Sequence, residues 1–221
     1  MRNRQSGFTL VEIAIVLVII GLLLGGVLKG QELINSAKAK NMIGDFRTTS
    51  TFVYAYQDRF RALPGDDLGA VAHVNASAAA TAISGSAVGD GRINGNWNSQ
   101  TKTDESYLFW EQVRRAGLAS GTTDINSTDY APRNADGGRL GITGDKVLTA
   151  DVWPGTFFVC SAGIQGRIAR QIDTTMDDGN TTTGTVRVLG TSAGGELATS
   201  ASAYEVKVAD DATLFTVCVA Y

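Results

Sequence analysis

The chain has 221 residues, of which 43% are apolar and 19% charged, with 26 Gly, 3 Pro, 2 Cys and a formal net charge of −3. That length accommodates one or two domains with a sizeable core. The glycines follow no triplet period and two cysteines can make only one intrachain bridge, so collagen-like and disulfide-scaffold classes fall away. The acidic balance, with no basic run beyond Arg2 and Arg4, argues against a nucleic-acid partner.

In chain order, the first element is a run from Phe8 to Leu28 in which 16 of 21 residues are apolar and Glu12 is the only charge. As an α-helix it would span roughly the ~30 Å hydrocarbon core of a bilayer. Arg2 and Arg4 precede it, which favours a cytoplasmic N-terminus and export of the remainder. An ordinary secretory signal fits poorly. Its small-residue cleavage site could only be Ala37-Lys38-Ala39, which lies well beyond the apolar run and across three charges. A carboxylate inside such a run costs roughly 2.5 to 3.5 kcal/mol unless it is paired or near the interface, so Glu12 calls for a partner, snorkelling at the headgroup boundary being the alternative.

Helical periodicity continues past the membrane segment. Met42, Phe46, Val53, Tyr56 and Phe60 draw an apolar stripe, with Lys38, Lys40, Asp45, Arg47, Asp58 and Arg59 between them, and Leu63-Pro64-Gly65 ends the pattern. One helix of about fifty residues results, far longer than the globular mean. Residues 65–103 read as irregular. A second helix is expected from Asp104 to Ala116, with Leu108, Phe109, Val113 and Ala116 inward and Gly117 as its stop. A polar loop follows to about Asp151. Strands are expected at Gly155–Cys160, Gly184–Leu189, Tyr204–Val208 and Thr213–Val219, with a short helix at Ile164–Ile172. The fold class is α+β: a long N-terminal helix, half transmembrane and half amphipathic, packed on an antiparallel β-sheet head. The divisions are residues 1–7, 8–28, 29–63 and 64–221.

Gly7-Phe8-Thr9-Leu10-Val11-Glu12 behind a short basic leader resembles the class III signal of type IV prepilins and type II secretion pseudopilins. The resemblance implies cleavage between Gly7 and Phe8 by the prepilin peptidase on the cytoplasmic side and N-methylation of Phe8. It also implies a lollipop shape and a structural rather than enzymatic role, with other pilin or pseudopilin subunits and an inner-membrane assembly machinery as partners. In such a filament Glu12 would neutralise the new ammonium of a neighbouring Phe8 and so fix the axial register. Residues 1–7 would then be the leader, and the chain a single-pass inner-membrane protein with its head in the periplasm before filament assembly. Many pilins carry a proline where this chain has Lys29, and Gly25, Gly26 and Gly30 offer softness in its place. Leu63-Pro64-Gly65-Asp66-Asp67, Gly89-Asp90-Gly91, the Trp110 to Gly117 segment and Asp177-Asp178-Gly179-Asn180 with Gly184 to Arg187 resemble a group of prepilin-like proteins without assigned roles.

Other chemistry is sparse. Gly190-Thr191-Ser192-Ala193-Gly194 satisfies G-x-S-x-G, but the single histidine, His73, lies upstream and no helical stripe follows. Asp66, Asp67 and Asp90 beside turn glycines are candidate calcium ligands, as major pseudopilins hold calcium in a head loop, with solvated turns as the alternative. No other cofactor is expected. Cys160 and Cys218 fall in strands on the exported side, so either a disulfide tying strands near the two ends of the sheet or two buried thiols is expected. Trp97, Trp110, Trp153 and Tyr130 read as core or groove aromatics. A membrane-tethered periplasmic enzyme or binding module is the competing reading.

Overall fold

The computed structural model describes residues 9–77 and 89–221. The chain divides into two compact units, Met1–Ala37 and Lys38–Tyr221. Helix α1 (Leu10–Phe60, 51 residues) starts in the first and ends in the second. From Leu10 to Leu28 it is apolar around its circumference apart from Glu12, with Leu10, Leu17, Leu22 and Leu28 all more than 60% exposed. Among the described residues this is the one helix long and apolar enough to cross a membrane. It runs unbroken through Gly25, Gly26 and Gly30. A helix that is apolar on every side must be covered by something other than water.

The second unit, the head, is α+β. From Lys38 on, α1 becomes one-sided: Ala39, Met42, Ile43, Phe46, Val53 and Tyr56 are buried at spacings of three, one, three, seven and three, the stripe of an amphipathic helix. The helix ends at Phe60, where Arg61 takes a left-handed φ of 58° ahead of Leu63-Pro64. One turn of helix, α2 (Ala70–Val74), follows. Helix α3 (Glu105–Arg115) lies between Asp104 at its N-cap and Gly117 beyond its C-cap, as its flanking residues led one to expect.

Four strands form the sheet: β1 (Leu140–Thr143), β2 (Phe158–Gln165), β3 (Val186–Leu189) and β4 (Leu214–Ala220), in the order β1-β2-β4-β3 with every neighbour antiparallel. Helix α4 (Gly166–Met176) follows β2 directly. Alternation sorts the strand residues onto two faces. Val159, Ile164, Val186, Val188, Phe215, Val217 and Val219 join Phe46, Val53, Tyr56, Phe109 and Ile168 in the larger core. Phe158, Cys160, Ala162, Leu189, Cys218 and Ala220 meet Trp97, Val147, Leu148 and Trp153 on the other side. The aromatics Trp97, Trp110, Trp153 and Tyr130 are core residues in this arrangement.

Three elements depart from the sequence reading. Strand β1 lies within the stretch read as a polar loop, because four residues with a central glycine carry too little apolar pattern. Gly141 is required there, since a Cβ would stand 1.9 Å from the Trp97 carbonyl oxygen. Residues 70–74 form α2, a single turn too short to show a period. The strand expected at Tyr204–Val208 is not formed. Tyr204 makes one backbone bond to the Val188 carbonyl, after which the Thr181 hydroxyl bonds to the carbonyl of Tyr204 and the amide of Val206, and a side chain replaces the ladder.

Candidate functional site

Helix α1 opens with Thr9-Leu10-Val11-Glu12. Thr9 Oγ1 accepts from the Glu12 amide at 3.3 Å, while Glu12 Oε2 accepts from the Thr9 amide at 2.8 Å and its hydroxyl at 2.7 Å. This is a reciprocal capping box: two amide donors at the first turn are satisfied by side chains, and the carboxylate lies at the positive end of the helix. The T-x-x-E spacing carried that signal in the sequence. Glu12 therefore has a partner in its own chain and is held towards the N-terminal end of the helix. Gly7 and Phe8, where cleavage and methylation are expected, lie outside the described residues.

The aspartates expected to ligate calcium are bound up with protein donors. Asp66 accepts from the amides of Gly89 and Gly91, the latter at 2.8 Å, and so braces residues 89–91. Asp90 accepts from the Arg92 amide at 3.0 Å and the Asn94 side-chain amide at 3.3 Å. Asp67 is buried and engaged elsewhere: the Tyr56 hydroxyl donates to it at 2.7 Å, the Gly69 amide donates at 2.7 Å, and His73 Nδ1 lies 2.8 Å away. His73 stacks on Phe60 with 5.4 Å between ring centroids, so the one histidine holds the end of α1 against the following loop. Burial and the Asp67 carboxylate push the Tyr56 phenol well above its ordinary value.

The acid that shares an electrostatic environment with Asp66 and Asp90 is Glu105, which the sequence reading passed over. It is the first residue of α3 and is 1% exposed, with its Oε2 accepting from the Asn94 amide at 2.7 Å. Burial pushes its carboxyl up to about 7; the Asn94 amide opposes the rise, and the charges of Asp66 and Asp90 add to it. Gly65, with φ +95°, brings the chain past the Glu105 carbonyl, where a Cβ would sit 2.5 Å away.

The G-x-S-x-G segment has no elbow geometry. After β3 it leads into a three-residue 3₁₀ turn, Ala193–Gly195, and the Ser192 hydroxyl donates to the Glu196 carbonyl at 3.0 Å. His73 is engaged with Asp67 instead.

Cys160 of β2 lies directly opposite Cys218 of β4, with Cα atoms 4.0 Å apart, and the two are joined as a disulfide. The strands are the two central neighbours of the sheet, not strands near its ends. Strand β4 is buried along six of its seven residues on both faces, and a strand covered on both sides belongs in the middle of a sheet.

Residues 2–28 match the model of the prokaryotic N-terminal methylation motif. No curated protein and no solved structure matches the chain. The N-terminus is a prepilin-type, class III signal. That signal takes in the apolar start of α1, which among the described residues is the one helix long and apolar enough to cross a membrane.

Proposed function

We propose that the chain is a structural subunit of a type IV pilus or type II secretion pseudopilus, cut after Gly7, methylated on Phe8 and polymerised through α1. The observation that carries this reading is that the motif at residues 2–28 takes in the start of α1, where the stretch from Leu10 to Leu28 is exposed and apolar on every side apart from Glu12. Membrane-stored subunits can slide such a helix from lipid into a bundle of its own kind with little change in solvation. Head-to-tail contacts of this sort are heterologous and build an open helical filament. The long connections at 116–139 and 190–213 give the head irregular surface and favour a minor subunit over a bulk one. Energy for assembly would come from a separate cytoplasmic motor in the inner-membrane machinery.

Glu12 is the residue that sets the register. In the free subunit it caps its own helix through Thr9. In the filament the ammonium of a neighbouring Phe8 is a stronger partner in a low-dielectric setting. Glu12→Ala is expected to leave the membrane-bound pool unchanged and to lower the amount recovered in sheared filaments by at least about tenfold, a coupling of ~1.4 kcal/mol or more per contact. Incorporation at the wild-type level would remove the register role.

A further inference from the structure

Helix α4 turns Ile168, Ala169, Ile172 and Asp173 onto its buried face. Three of these are ordinary core residues and the fourth is an acid. Neither carboxylate oxygen of Asp173 touches solvent, and neither has a hydrogen-bond partner. A fully buried carboxylate in that condition is costly, and folded proteins rarely leave one without a compensating group.

Its surroundings add charge of the same sign. Asp173 lies in the last turns of α4, at the negative end of the helix, and Asp177 and Asp178 follow immediately. A carboxylate oxygen from each of the three lies within 4.8 Å of the others. The last turn of α4 has no basic residue, and Arg170, three positions before Asp173, is taken by Asp211 and the Lys207 carbonyl. Among the described residues none of the three aspartates is in an ion pair with Lys or Arg. Burial, with the charges of Asp178 and then Asp177, pushes the Asp173 carboxyl up to about 7.

The outer two carboxylates are already oriented. Asp177 Oδ2 accepts from the amides of Thr185 and Val186, the latter at 2.9 Å. Asp178 accepts from the Asn180 amide at 2.8 Å and the Thr183 hydroxyl at 2.7 Å. Asp173 presents two unused oxygens to the same corner.

We propose that Asp173, Asp177 and Asp178 form a binding site for a hard divalent cation, calcium, which pins the end of α4 to the start of β3. Three carboxylates supply all-oxygen ligation, and the exposure of Asp178 leaves room for water to complete the shell. Calcium suits this corner better than magnesium, which demands a near-ideal octahedron and gives up its water reluctantly. The site is separate from Asp66 and Asp90 and does not depend on the filament reading.

The test is thermal denaturation of the full-length chain in detergent, stripped with EDTA and titrated with calcium chloride. Saturating calcium is expected to raise the melting temperature by about 5 °C. Asp178→Asn, an exposed change, should abolish that rise while leaving the EDTA value within about 2 °C of wild type. Asp173→Asn should also abolish it and should melt higher than wild type in EDTA, because it removes a buried charge. Asp90→Asn should respond as wild type does. An unresponsive wild type would overturn the proposal, as would a rise that survives Asp178→Asn, since the cation would then bind elsewhere. Should Asp173→Asn fail to fold, the Asp178→Asn result decides.

Discussion

Replacing Cys160 and Cys218 together by alanine is expected to lower the stability of the head by about 4 kcal/mol. For a unit of this size that is a fall in melting temperature of roughly 10 °C. The bridge spans 58 residues of sequence, so its removal restores a large loop to the unfolded ensemble. Its location adds a second reason. The bridge joins the two central strands, whose pairing holds β1 on one side and β3 on the other, and its sulfurs belong to the smaller core with Trp97, Leu148 and Trp153. Denaturation of wild type under non-reducing conditions, of wild type with reductant, and of the double variant checks the expectation. The last two should agree. A loss below about 1 kcal/mol would mean that packing alone holds β2 to β4.

The second large effect is a dependence on pH that arises at Glu105. Its carboxyl is raised in the folded chain from an ordinary 4.5 to about 7. The folded state therefore binds the proton more tightly than the unfolded state. The stability this contributes is fully present below about 4.5 and is lost as pH rises through about 7. The magnitude is on the order of 3 kcal/mol. Glu105→Gln keeps an oxygen for the Asn94 amide and removes the titration. The variant should match wild type near pH 4.5 and exceed it near pH 8 by an amount of that order. Denaturant melts of both chains across this range provide the measurement. Parallel curves would show that the Glu105 charge is compensated in the folded state.

What was legible in the sequence was whatever has a period or a cap. The stripe from Met42 to Phe60 gave the second half of α1, and Asp104 with Gly117 gave α3 almost to the residue. Strands β2, β3 and β4 were found a few residues out of place, because apolar runs do not mark where pairing begins. Their order was hidden, as was the adjacency of Cys160 and Cys218 in the centre of the sheet, since strand order is a property of packing. Strand β1 escaped because Leu140 and Ile142 flank a glycine within a polar stretch. The stretch at Tyr204–Val208 looked like a strand by composition, yet Thr181 supplies its hydrogen bonds.

The site divided in the same way. Glu12 stood out because a lone acid in an apolar run is conspicuous, while the T-x-x-E box that binds it to Thr9 was present but overshadowed. Glu105 and Asp173 could not be seen. An acid in a helical segment ordinarily faces water, and only the assembled core shows that these two are buried. Asp66, Asp67 and Asp90 attracted notice by standing beside glycines, and the fold employs them chiefly as acceptors for its own amides and hydroxyls.

Maturation of the chain as a prepilin-type precursor, as proposed, is checked by the intact mass of the protein recovered from membranes. The expected species lacks residues 1–7 and begins at Phe8 with one additional methyl group on its nitrogen. A full-length chain beginning at Met1, recovered from cells that process their other prepilins, would contradict it.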